Sequence, residues 1–299
     1  MTNFSTDNRY LLNYELRNSI IYSLIITAVL LSSPFSRSFI EGVAWYLLPM
    51  FLISFYHFGV SLVGVALYVG VAAYLGRVSF LPVDVIVVIA GVLLGLKSAM
   101  WMHNAAHRNF AWPWLSTAMG ELCAIQQLIG YRPWQIAHFI HHKYPDDPAM
   151  DPHPPMYDGF FRYMLKMKYN IAQKFDSYYF SHFTRTPDNQ RLFGLGGLVM
   201  LISILLRTLL WYVLLGPKYY LLFFVISNIA TNIMYASFNY FTHRPNVMEK
   251  GKFDILDLNA GVFRILNWIT AGSFFHGTHH KRPNLYNPGG FAQQMMVCK

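Results

Sequence analysis

The sequence predicts an all-α integral membrane protein, a bundle of about 4–6 transmembrane helices. Three observations predict it. Hydrophobic residues make up 55% of the 299 residues and charged residues only 12%, where an ordinary soluble domain carries about 25% charged residues. Mean hydropathy is +0.31, which excludes disorder, since disorder needs low hydrophobicity and high charge. Several apolar stretches also approach or exceed the roughly 20 residues needed to cross a hydrocarbon core about 30 Å thick.

Taken in order, Ser19–Ser33 follows a mixed-charge segment with Asp7, Arg9, Glu15 and Arg17. It lacks a basic leading region and a small-residue cleavage site, so it reads as mature protein. Val43–Leu75 is too long for one crossing. At a rise of 1.5 Å per residue it would run about 50 Å. It reads as two short helices turning near Gly59, or one crossing plus an interfacial piece. Pro82–Met102, Leu192–Leu215 and Tyr219–Phe241 read as single crossings, the last two joined by Gly216-Pro217-Lys218. Thr117–Ile129 and Val262–Phe275 are too short to span and read as re-entrant or interfacial. No internal repeat, low-complexity tract or linker divides the chain, so residues 1–299 read as one domain.

Only two cysteines occur, Cys123 and Cys298, far apart. That excludes a disulfide framework, a zinc ribbon and an iron–sulfur site. Net charge is +9, from 23 basic and 14 acidic residues. In a soluble protein that excess would suggest nucleic acid. Here the charges must sit outside the bilayer, where the positive-inside rule and anionic lipid headgroups account for them. A lipid partner is therefore expected, and nucleic acid is not.

Twelve histidines nearly equal the 14 acidic residues, and nine of them fall into four groups. These are His103-Asn-Ala-Ala-His107, His138-Phe-Ile-His141-His142, Asn239-Tyr-Phe-Thr-His243 and His276-Gly-Thr-His279-His280. Pro82–Met102 ends at His103, and Tyr219–Phe241 ends beside His243. No full span separates His107 from His138 or His243 from His276, and two spans separate His142 from His243. All four groups therefore reach one face. Most Lys and Arg share it, from Arg108 and Lys143 through Lys174 and Arg185 to Lys281 and Arg282. The positive-inside rule makes that face cytoplasmic.

Spacings of three and four residues put side chains on one face of a helix, the geometry for gripping one ion from one turn. Nine imidazoles exceed the four ligands of a zinc ion. They suit two metals, each with four or five nitrogens and an open position, and imidazole serves zinc, copper, iron and nickel alike. Bridging carboxylates of the soluble di-iron bundle kind are absent from the groups. A metal transporter would set its ligands near the bilayer midplane, whereas these cluster at span ends. His57, His153 and His182 have no such partners and read as structural.

The order HxxxH, HxxHH, HxxHH resembles the membrane fatty acid desaturase-like superfamily of non-haem di-iron desaturases and hydroxylases. Context agrees. Tyr131-Arg-Pro-Trp134 precedes His138, and His142 runs on to Asp146-Asp147-Pro148 and Asp151-Pro152. His280 is followed by Pro283 and Tyr286, and Asn239 lies four residues before His243. The resemblance covers roughly residues 80–290. It implies a cytoplasmic helical cap holding two iron ions, with O2 as co-substrate and a fatty acyl chain as substrate. The nine histidines would be ligands, and Asn239 would act through a metal-bound water. Asp146, Asp147 and Asp151 would support ligand imidazoles, as metal-bound histidines usually donate their second N–H. Trp134 and Tyr240 would pack against the metal shell or the substrate. Desaturation is the leading expectation. Hydroxylation, ketolation, or oxidative decarboxylation to a terminal alkene by the same site is the alternative. No cytochrome, flavin or dinucleotide motif occurs, so a separate donor of ferredoxin, rubredoxin or cytochrome b5 type is implied.

Overall fold

In a bilayer every backbone polar group must be satisfied within the protein, which favours helices. The computed structural model describes residues 4–32, 81–154, 159–246 and 253–291. Val43–Leu75, with His57, lies outside the described residues. Four described helices are long and apolar enough to cross a membrane. They are α1 (Tyr10–Ser32), α2 (Pro82–Ala106), α6 (Pro187–Tyr219) up to its kink at Gly216, and α7 (Ile226–Thr242) with the π-helical turn Tyr220–Val225 before it. The shorter helices are α3 (Pro113–Gln127), α4 (Tyr131–Lys143), α5 (Phe160–His182), α8 (Val262–Ile269) and α9 (His276–Lys281). A small antiparallel hairpin, β1 (His243–Pro245) and β2 (Phe253–Ile255), departs from the all-helical plan.

Helix α2 lies against the π-turn and α7. Without a hydrophobic drive between helices in lipid, close packing of small residues has to hold such a pair. Gly91 and Gly95 supply it. A Cβ on Gly91 would stand 2.7 Å from the Phe223 carbonyl oxygen, and one on Gly95 would strike the Ser227 carbonyl. Buried polar links add direction. Ser98 donates to Gln126 Oε1 at 2.6 Å, Gln126 donates to Ser227 Oγ at 2.5 Å, and Thr231 donates to the Gly95 carbonyl at 3.0 Å. Outward faces remain apolar: Val85, Ile86 and Ile89 of α2 and Ile202 of α6 are exposed, as lipid-facing residues should be.

Helix α1 begins at Tyr10, nine residues before the expected span at Ser19. Glu15 explains the difference. It is buried against the fully buried Arg207 of α6, with Oε2 3.4 Å from Nη2, and Arg207 also donates to Tyr22. The paired charges let the helix run through a position that an unpaired carboxylate would forbid. At the other end of the bundle, Lys218 meets Asp84 at 2.7 Å and ties the Gly216 kink to the start of α2. Helix α8, within the stretch expected to be interfacial, exposes Val262, Ile265 and Trp268 on one face.

Candidate metal centre

Each histidine is delivered by a helix, by a helix cap or by the hairpin. His103 occupies the last turn of α2, and His107 is the residue that caps it. His138, His141 and His142 lie on α4. His243 starts β1, where it pairs with Ile255 of β2. That hairpin then seats α9. The Gly277 N–H donates to the Leu256 carbonyl at 3.2 Å, and a Cβ on Gly277 would stand 2.5 Å from the Ile255 carbonyl oxygen. Glycine inside His276-Gly-Thr-His279-His280 is therefore a close-approach residue. Asp257 fixes the same helix by accepting from the Thr278 N–H at 2.8 Å and its hydroxyl at 2.6 Å.

The nine rings form two adjoining groups. His103, His107, His138, His142 and His279 make one; His141, His243, His276 and His280 make the other. Within each group the candidate ligand nitrogens lie within 4.8 Å of one another. The Nε2 atoms converge: His107 and His138 at 2.7 Å, His276 and His243 at 3.0 Å, His279 and His142 at 3.1 Å. The groups touch through His142 and His280, whose ring centres are 4.3 Å apart.

The residues fit a metal. His103 Nε2 and His141 Nε2 are buried with no hydrogen-bond partner among the described residues. Leaving such an atom unsatisfied costs about 1–3 kcal/mol, which a bound cation would remove. Burial, reinforced by neighbouring imidazoles, holds His138, His141, His276 and His279 well below the usual histidine pKa. Burial alone brings His107 down to about 4. Neutral imidazole is the form that ligates. His141 donates from Nδ1 to Asp151 Oδ2 at 2.9 Å, and His243 from Nδ1 to Asp146 Oδ2 at 2.8 Å. Both donations leave the Nε2 lone pair free to face the group.

A family model described as fatty acid desaturase matches residues 79–287, more than half of the chain. The chain belongs to the fatty acid desaturase family. Membership makes it a membrane oxidoreductase of the desaturase and hydroxylase type. No curated protein and no solved structure matches it.

In this desaturase-family chain the nine histidines singled out by spacing are all drawn together, but not in the expected way. Each HxxHH motif is divided. His138 and His142 join the five-ring group while His141 joins the other; His276 and His280 join the four-ring group while His279 crosses over. Asn239 is buried, and its amide donates to the Tyr235 carbonyl at 2.9 Å. Trp134 stacks on His138 with ring centres 4.9 Å apart. Asp147 is used locally, its Oδ1 accepting from the Ala149 and Met150 N–H groups. His182 is exposed at the end of α5 and joins neither group.

His153, read from sequence as structural, lies beside the site. Its ring centre is 4.5 Å from that of His141, and its Nδ1 is 3.6 Å from Asp151 Oδ1. The available signal was its place two residues past Asp151 in the segment that follows HxxHH.

Proposed function

We propose that this protein desaturates a fatty acyl chain with two iron ions held by its nine histidines. One observation carries the reading: four separated segments of a desaturase-family chain deliver nine buried or half-buried imidazoles into two adjoining groups. His103, His107, His138, His142 and His279 would hold one ion and His141, His243, His276 and His280 the other, with Asn239 contributing through a water. Two irons with O2 supply an oxidant strong enough to break an unactivated C–H bond. The overall change balances as one CH2–CH2 unit plus O2, two electrons and two protons giving one C=C unit and two waters.

The chain's own residues do the remaining work. Asp146 and Asp151 fix the tautomer and orientation of His243 and His141. Trp134 limits the tilt of His138. Burial of the rings keeps bulk water from the reacting carbon, and the lipid-facing helices let an acyl chain approach from the bilayer. Orientation of one carbon against the centre decides the product. The basic face that bears the sites would be cytoplasmic by the positive-inside rule. There it would receive electrons from a separate ferredoxin, rubredoxin or cytochrome b5 type donor. The chain would act as one domain with a core of about residues 80–290.

The test is expression in a host with a matching reductase, followed by mass spectrometry of the lipids. Loss of two hydrogens from an acyl chain is expected. Gain of one oxygen, or loss of CO2, would replace desaturation with hydroxylation or decarboxylation. An unchanged lipid profile alongside His141→Ala would overturn the reading.

A further inference from the structure

The two histidine groups differ in what stands behind them. In the four-ring group, two of the four imidazoles donate to buried carboxylates, His141 to Asp151 and His243 to Asp146. Both carboxylates come from one short segment. Asp151 is fully buried and is held in turn by the N–H groups of Asp146 at 2.6 Å and His153 at 2.9 Å. The His153 ring closes the far side of Asp151, and the Tyr163 hydroxyl pins the His153 carbonyl at 3.0 Å. Among the described residues, no carboxylate bonds to any ring of the five-ring group. Its contacts are with other imidazoles and with aromatic rings such as Trp134 and Phe238.

We propose that the segment Asp146–His153 makes the two metal positions unequal, so that the four-ring position holds its ion far longer than the five-ring position. This rests on the two-iron reading above. The physical reason is twofold. A ring whose Nδ1–H is fixed on a carboxylate cannot rotate its Nε2 lone pair away, and it is a stronger donor. Two buried anionic groups also stand close to a dication where solvent screens poorly. The five-ring position has one more ligand but neither advantage. His153 acts here as a positioning residue: its backbone N–H holds Asp151, and its ring packs beside both Asp151 and the His141 ring.

The experiment uses the purified full-length protein in detergent, loaded with ferrous iron and mixed with a coloured ferrous chelator. Two release phases of equal amplitude are expected. Asp146→Asn should accelerate the slow phase by about 10–100-fold, the usual range for such outer partners, and leave the fast phase unchanged. This variant keeps the backbone, because Asp146 has φ 64° and asparagine adopts that left-handed region readily. His153→Ala should accelerate the same slow phase by a smaller factor. Release of both ions in one phase, or acceleration of the fast phase by Asp146→Asn, overturns this inference alone. A protein that takes up no iron overturns the reading on which it rests, and this inference with it.

Discussion

The five-ring and four-ring groups are built from the same motifs yet supported by different physics. The five-ring group is drawn from helices and a helix cap alone: the C-terminal end of α2, α4 and α9. Its rings are oriented by packing against each other and against Trp134. The four-ring group draws His243 from a β-hairpin and is braced by carboxylates from a loop. One group has an extra imidazole, the other has charge and fixed tautomers. The lesson is that a motif such as HxxHH specifies ligands, while the loops beyond it specify how firmly each is held.

The largest effect should come from removing a ligand. His141→Ala and His279→Ala should each lower turnover by more than the roughly 10–100-fold typical of outer-shell changes. Each should also lose the ion of its own group, measured by metal analysis. Wild-type turnover in either variant would break the comparison at its root. Gly277→Ala comes next. Its Cβ would collide with the Ile255 carbonyl and displace α9, which feeds both groups. A shift of about 1 Å can cost about 100-fold in rate, and metal retention should weaken at both positions. Loss from one position only would contradict the shared role of α9.

Trp134→Leu should act on the five-ring group alone. Stacking of this kind contributes about 0.5–1.5 kcal/mol, so a few-fold change in the fast iron-release phase is expected, with no change in the slow one. The last effect is on stability rather than on turnover, and concerns pH. Burial depresses His107 to about 4 in the folded protein, against about 6.5 for a free histidine. Between those values the unfolded chain binds a proton that the folded chain refuses, so stability of the metal-stripped protein must fall as pH drops from about 6.5 towards 4. Thermal unfolding of stripped protein at about pH 7 and pH 5 measures it, and a flat or inverted profile counts against buried neutral rings.

Much of this was legible in the sequence. The spans over Pro82–Ala106, Pro187–Gly216 and Tyr220–Thr242 follow from apolar length alone. The nine histidines stand out by spacing and by their places at span ends. Their division was not legible. At 3.6 residues per turn, His138 and His142 point within about 40° of each other, while His141 is rotated by about 100° from His142. Which partner helix each direction meets is a tertiary fact. The start of α1 was hidden because Glu15 looks forbidding until Arg207, 192 positions away, is placed beside it. His153 was missed because its neighbours are fixed by the turn at Asp146, which no periodicity announces. The Gly91–Gly95 spacing was a readable sign of close helix packing, one the hydropathy pattern alone conceals.

Metal analysis of the purified chain tests the central claim most directly. About two irons per chain are expected, falling to about one when His141 or His279 is replaced by alanine. A preparation fully active with one zinc ion and no iron would contradict the account.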